Sequence, residues 1–241
     1  MPPYVSSSSD VSANRVMSRE AHDTYPLTPL QQGMLLQWQF DPRAGINVEQ
    51  LVCTLPEELD VEAQRSAWAR LIARHAALRT AFRWGGDAEP MQEVFREGLL
   101  ELAVHDLTSL TPDEKDERLR SFLHADRRRG FALDRLPLMR VTLFRLGQAD
   151  YRLVWTFHHI VLDARSIPDL LEEVFDPTVR DDVPPSFGDF VRTVASRDLS
   201  ASEAFFRKLL EGVASLHLRA RVRRVAHRLG SFRGPKPSFR Q

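Results

Sequence analysis

Two apolar stretches in the middle of the chain restrict its architecture more than any other feature. Leu138 to Leu146 (LMRVTLFRL) alternates with the period of two that a strand imposes, Gly147 to Asp150 turns the chain, and Tyr151 to Phe157 (YRLVWTF) reads as a second, antiparallel strand. Helical patterns lie on both sides of this pair. Thr28-Pro29 suits an N-cap followed by Pro at the first helical position, and Leu30, Met34, Leu35 and Trp38 then recur at helical spacing until Asp41-Pro42. Val48 to Leu55 predicts a strand closed by Pro56. Asp60 caps a helix with Trp68, Leu71, Ile72 and His75 on one face. TAFRW, the Gly85-Gly86 turn and PMQEVF predict a hairpin. A charged helix starts near Thr111 or Asp113 and stops at Gly130; Ser166 caps a helix through Phe175, the short stretch Phe187 to Val194 has no assigned element, and a last helix runs through SASEAFFRKLLEG. Helices and strands mix without strict strand–helix–strand alternation, which predicts an α+β fold with a mixed sheet packed by helices.

Composition narrows the function classes. Lys plus Arg and Asp plus Glu both number 33, so the whole chain is not drawn toward nucleic acid or anionic membrane. Cys53 is the single cysteine among the 241 residues, which excludes an internal disulfide framework, argues against a cysteine-built zinc site, and predicts a buried thiol in a reducing, cytoplasmic setting. The sequence has no apolar run long enough to span a bilayer and no secretory signal at its start. Residues 1–23 read as a Ser-rich disordered leader. After Glu211 there is no acidic residue, while eight basic ones follow, leaving the body with 25 basic against 33 acidic residues. This segment, 213–241, reads as disordered or out-of-frame sequence, favoured over a polyanion-binding tail.

The chemistry is expected in FHHIVLDARS at the end of the second strand. Neighbouring strand residues point to opposite faces, so His158 and His159 do not converge on one ion, and metal binding is not expected. An imidazole at a strand edge accepts a proton near neutral pH, which makes His159 a candidate acid–base group; the alternative is a pair of hydrogen-bonded core histidines. Asp163, just past the turn, either orients a ring or pairs with an arginine. His75, Trp68 and Trp155 read as packing residues.

HHIVLDARS resembles the HHxxxDG signature of the condensation domains of non-ribosomal peptide synthetases, in the superfamily of CoA-dependent acyltransferases. YPLTPLQQGML is similar to the first motif of these domains and RHAALRTAF to their second, RHxxLRTxF; GFALDRLPLMR, FGDFV and FFRKLLEG are weaker echoes. The resemblance spans 24–212 and implies one lobe of a two-lobed, chloramphenicol acetyltransferase-like fold. It implies amide formation between acyl and aminoacyl thioesters on the phosphopantetheine arms of partner carrier proteins, with no cofactor of the chain's own. By position, His159 resembles the catalytic second histidine, His158 a structural one, and Asp163 an aspartate braced by an arginine, either Arg79 or Arg74. Other synthetase modules are further possible partners. Alternative readings are a free-standing CoA-dependent O-acyltransferase and a non-catalytic fragment or carrier-docking module. Ala164 stands where the signature has Gly, at a cost of about 1 kcal/mol if the turn needs a positive φ. Half a tunnel orients two reactants poorly, so little condensation activity is expected of this chain by itself.

Overall fold

The computed structural model describes residues 21–86, 88–176 and 184–212. In chain order they form β1 (Ala21–Pro26), α1 (Pro29–Phe40), β2 (Val48–Leu55), α2 (Val61–Arg74), a 3-10 turn (Ala76–Arg79), β3 (Thr80–Gly85), β4 (Ala88–Phe95), β5 (Leu102–Asp106), α3 (Pro112–Arg129), β6 (Met139–Gly147), β7 (Asp150–His158), α4 (Ile167–Phe175), α5 (Phe187–Ala195) and α6 (Ser200–Leu209). The chain divides into a unit ending at Arg197 and one beginning at Asp198, whose described part is essentially α6, with an Arg207–Glu203 pair one turn apart.

The expected hairpin is β6–β7, antiparallel, with Met139 opposite Phe157 and Leu143 opposite Leu153. It forms the centre of a four-stranded sheet ordered β2-β7-β6-β5. β2 pairs with β7 antiparallel and β5 with β6 parallel, so this sheet is mixed. β5 (LAVHD) is too short and too polar to announce itself in the sequence; its pairing with β6 makes it a strand. One sheet face carries Met139, Val141, Leu143, Leu153, Trp155 and Phe157 against Trp68, Leu71 and Ile72 of α2 and Leu170 and Val174 of α4. Full burial of each such side chain stabilises by roughly 1.5–3 kcal/mol. Trp68 and Trp155 are fully buried and meet edge to face at 5.0 Å, as packing residues do. The opposite face is covered by α3, whose Leu119, Phe122 and Leu123 pack on Phe144 and Val154.

That second face also holds a row of polar residues. The register sets Gln50 of β2, Thr156 of β7 and Arg140 of β6 side by side, under Asp126 of α3. Asp126 accepts from Arg140 Nε at 2.5 Å, from Thr156 Oγ1 at 2.6 Å and from Gln50 Nε2 at 3.0 Å. Arg140 completes its bonding with the carbonyls of Asp126 (2.7 Å) and Gly130 (2.9 Å) and lies 4.2 Å over the Phe131 ring. Both charges are buried and every bond has a partner, as a buried ion pair requires.

The second sheet, β1-β4-β3, contains the hairpin expected from TAFRW and PMQEVF. It also contains β1, which corrects the boundary of the leader: Ala21 to Asp23 pair with Phe95 and Val94 rather than standing outside the fold. Residues 1–20 and the basic segment 213–241 lie outside the described residues. α1 begins with the anticipated Thr28 cap, but its buried face is Gln31, Met34 and Leu35; Leu30, which helical spacing places on the apolar side, is 70% exposed. Among the described residues no helix is long and apolar enough to cross a membrane.

Candidate active site

β7 ends at His158, and the chain turns through His159 to Leu162 before α4 starts. The change of face at this point separates the two histidines. His158 is fully buried, its ring edge-on to Phe131 at 6.5 Å. Its Nδ1 accepts from the Ile160 N–H at 3.2 Å, so the proton of the neutral ring sits on Nε2, which has no partner. Burial, and then the neighbouring His159, push its pKa down to about 4. His158 is therefore a buried ring held in its neutral form.

His159 is half-buried and faces a cleft of about 990 Å³. Its Nδ1 lies 2.5 Å from the Leu162 carbonyl. A carbonyl only accepts, so Nδ1 holds the proton and Nε2 is left with its lone pair. The His159 N–H donates to the Asn47 carbonyl at 2.7 Å. Asn47 has φ 61°, the left-handed region that asparagine tolerates better than most residues, and this turns its carbonyl toward the end of β7. Ala164 needs no such conformation: Asn47 is the one non-glycine residue with positive φ among those described, so the replacement of Gly carries no left-handed strain.

Asp163 is exposed at the cleft and meets no arginine side chain among the described residues. Its Oδ1 accepts from the Arg165 N–H (3.1 Å), the Ser166 N–H (2.9 Å) and the Ser166 hydroxyl (2.8 Å), closing the turn into α4. The expected brace through Arg79 or Arg74 is not formed, because both guanidinium groups are engaged elsewhere. Arg79 donates to the carbonyls of Ile72 (3.1 Å), Phe95 and Arg96 (3.2 Å), tying α2 to the end of β4. Burial lowers its pKa. Gly98 makes room for that side chain, since a Cβ there would fall 2.9 Å from Arg79 Cγ and 2.0 Å from Ile72 Cγ2. Arg74 pairs with Glu173 of α4 at 3.3 Å. His75 is likewise not a packing residue: it follows α2 as its C-cap and its Nε2–H donates to Glu173 at 2.8 Å, on the wall of the same cleft. Helical spacing places His75 on the apolar face; the helix ends one residue before it, and that frees the ring for α4.

The Ser166 hydroxyl and N–H hold the Asp163 carboxyl below the usual carboxylate range. A carboxylate depressed in the folded state contributes stability that is present above its unfolded pKa and lost as pH falls through its folded pKa. Asp163→Asn keeps an oxygen for the same donors but has no charge to lose. Thermal melts across the acid range should show the variant's deficit at neutral pH narrowing toward zero as pH falls. A deficit that stays constant with pH would show that the charge is irrelevant to the turn.

The family model described as "Condensation domain" matches residues 21–233. The chain belongs to the condensation-domain family. The match runs past Gly212 and so takes in part of the basic segment, which the residue patterns did not show. One of the linear gramicidin synthase proteins of Brevibacillus parabrevis is 41% identical over 203 residues, covering 81% of this chain and 3% of that protein. Tyrocidine synthase 2, also of Brevibacillus parabrevis, is 35% identical over 149 residues, covering 61% of this chain and 4% of its own. Among solved structures, the starter condensation domain of rhizomide synthetase has a TM-score of 0.66 at 18% identity, covering 78% of this chain and 48% of that one. The first condensation domain of the calcium-dependent antibiotic synthetase, in complex with a substrate analogue, has a TM-score of 0.66 at 21% identity, covering 79% and 49%. The fold is thus the α+β, chloramphenicol acetyltransferase-like one of these condensation domains, and the chain spans about half their length.

Proposed function

We propose that this lobe carries the proton-handling side of amide formation between two carrier-bound thioesters in non-ribosomal peptide synthesis. The observation that carries the reading is His159, a residue lining the cleft whose Nδ1–H is held by the Leu162 carbonyl, which leaves the lone pair on Nε2. The acceptor amine nitrogen attacks the donor thioester carbon; the C–N bond forms and the C–S bond breaks. The amine proton passes to His159 Nε2 and then to the departing thiolate, so charge and protons balance. The phosphopantetheine arms arrive with the carrier proteins, and the chain needs no cofactor of its own. The lone, half-buried Cys53, whose pKa burial raises, suits a reducing cytoplasm. Orientation of two reactants supplies a large part of such a rate, so this chain by itself is expected to form amide slowly.

The test joins residues 1–212 to the second half of a linear gramicidin synthase condensation domain. Carrier-bound donor and acceptor thioesters are offered in a single turnover, and CoA thioesters with an alcohol acceptor are offered in parallel. Amide from the carriers alone supports the proposal. Ester from the CoA thioesters alone would replace it with an O-acyltransferase, and carrier binding without either product would leave a docking lobe.

A further inference from the structure

We propose that Gln31, in the first motif, is a positioning residue that sets the turn carrying His159 by holding the Ile160 carbonyl. The inference rests on the reading of His159 as the proton-handling group. Gln31 lies in the first turn of α1, where a polar side chain ordinarily meets solvent, yet it is only 6% exposed. Its Oε1 accepts from the Thr28 N–H and hydroxyl, each at 3.0 Å, and from Gln92 Nε2 at 2.9 Å. Its Nε2 donates to Gln92 Oε1 at 2.9 Å and to the Ile160 carbonyl at 3.0 Å. Gln92, 1% exposed in β4, spends its remaining proton on the Pro26 carbonyl at 3.0 Å. The amide orientation follows from the network: exchanging oxygen and nitrogen would set the amide against the Thr28 donor and two oxygens against each other at Ile160.

Two roles are combined in one side chain. The oxygen closes the capping box that starts α1, and the nitrogen reaches 129 residues along the chain to the residue after His159. The turn is otherwise held by short-range bonds, Ile160 N–H to His158 Nδ1, Val161 N–H to the His158 carbonyl and His159 Nδ1–H to the Leu162 carbonyl, and by Asn47. Without Gln31 Nε2 the buried Ile160 carbonyl has no donor among the described residues. A buried carbonyl left unpaired drives the peptide to rotate toward another donor or water. Such a rotation two residues before Leu162 shifts the carbonyl that holds the His159 proton on Nδ1.

Gln31→Glu separates the two roles. A carboxylate still accepts from Thr28 and keeps the start of α1, but it donates nothing to Ile160 or Gln92. The readout is the ring nitrogen spectrum of His159 in the 241-residue chain, which distinguishes Nδ1–H, Nε2–H and exchanging forms and which a helix start alone does not move. The unmodified chain is expected to show His159 as Nδ1–H and His158 as Nε2–H. Gln31→Glu is expected to lose the single Nδ1–H form of His159 while His158 keeps its own. Gln92→Leu, which leaves the Ile160 bond in place, is expected to melt lower with the His159 form retained. An unmoved His159 in Gln31→Glu, or an equal loss in Gln92→Leu, overturns the proposal. Should Gln31→Glu fail to fold, the unmodified chain decides it: the Gln31 side-chain amide must exchange with solvent far more slowly than the exposed amide of Gln39, and equal rates overturn it. None of these readouts uses turnover, so failure here leaves the proposed reaction standing, and failure of that reaction leaves the tautomer result intact.

Discussion

His159→Ala should lower single-turnover amide formation by the joined two-lobe protein about 10²–10⁴-fold, the usual share of a positioned acid–base group, while leaving the fold intact. The adjacent His158→Ala should do the reverse at the level of stability. His158 is fully buried, and its loss removes both a packed ring and the acceptor for the Ile160 N–H. The expected cost is about 2–4 kcal/mol. A pH series separates the two further. Burial, with His159 beside it, puts the folded pKa of His158 at about 4, below the ordinary histidine value. A base depressed in the folded state leaves stability whole above its unfolded pKa, because neither state is then protonated. As pH falls from about 6.5 toward 4 the unfolded chain takes a proton the folded chain refuses, and up to about 3 kcal/mol is lost. Melting the unmodified chain and His158→Phe over that range checks this. Parallel pH profiles for the two would show that His158 is not the group responsible. Equal activity with and without His159 would remove the proton-handling role altogether.

Asp126→Ala should destabilise the chain by about 3–5 kcal/mol, since it strands the Arg140 guanidinium in the interior. Arg140 is 4% exposed, and Asp126 is also the acceptor for Thr156 and Gln50. For a unit of this size that corresponds to a fall in Tm of about 6–20 °C. The double variant Asp126→Leu with Arg140→Met should recover most of the loss, because two apolar side chains leave no buried charge behind. A double variant as unstable as the single one would mean that the pair specifies how α3 meets the sheet and that shape alone does not replace it. The network reaches the site indirectly, as Arg140 lies over Phe131 and Phe131 meets the His158 ring. Activity in the recovered double variant would show that this side of the sheet supports the site without tuning it.

What local sequence dictates was legible from it. Thr28-Pro29, Asp60, Thr111-Pro112 and Gly130 start or stop helices through bonds within a few residues, and alternation in 138–157 sets the central hairpin. The three ordered motifs placed the family, and HHIVLDARS placed the histidines. The strand β5, the row of Gln50, Thr156 and Arg140 under Asp126, and β1 were decided by partners distant in sequence. The same holds at the site. Asp163, Arg79, Arg74 and His75 were each named from the sequence, but their partners could not be, because a guanidinium or imidazole bonds whatever the fold brings within about 3 Å. Nothing in the sequence distinguishes Gln31, because polarity in a first helical turn looks like solvent exposure. Only the packing of α1 against β4 and the His159 turn makes that amide a buried link, since a buried carbonyl must find a donor and Ile160 finds this one.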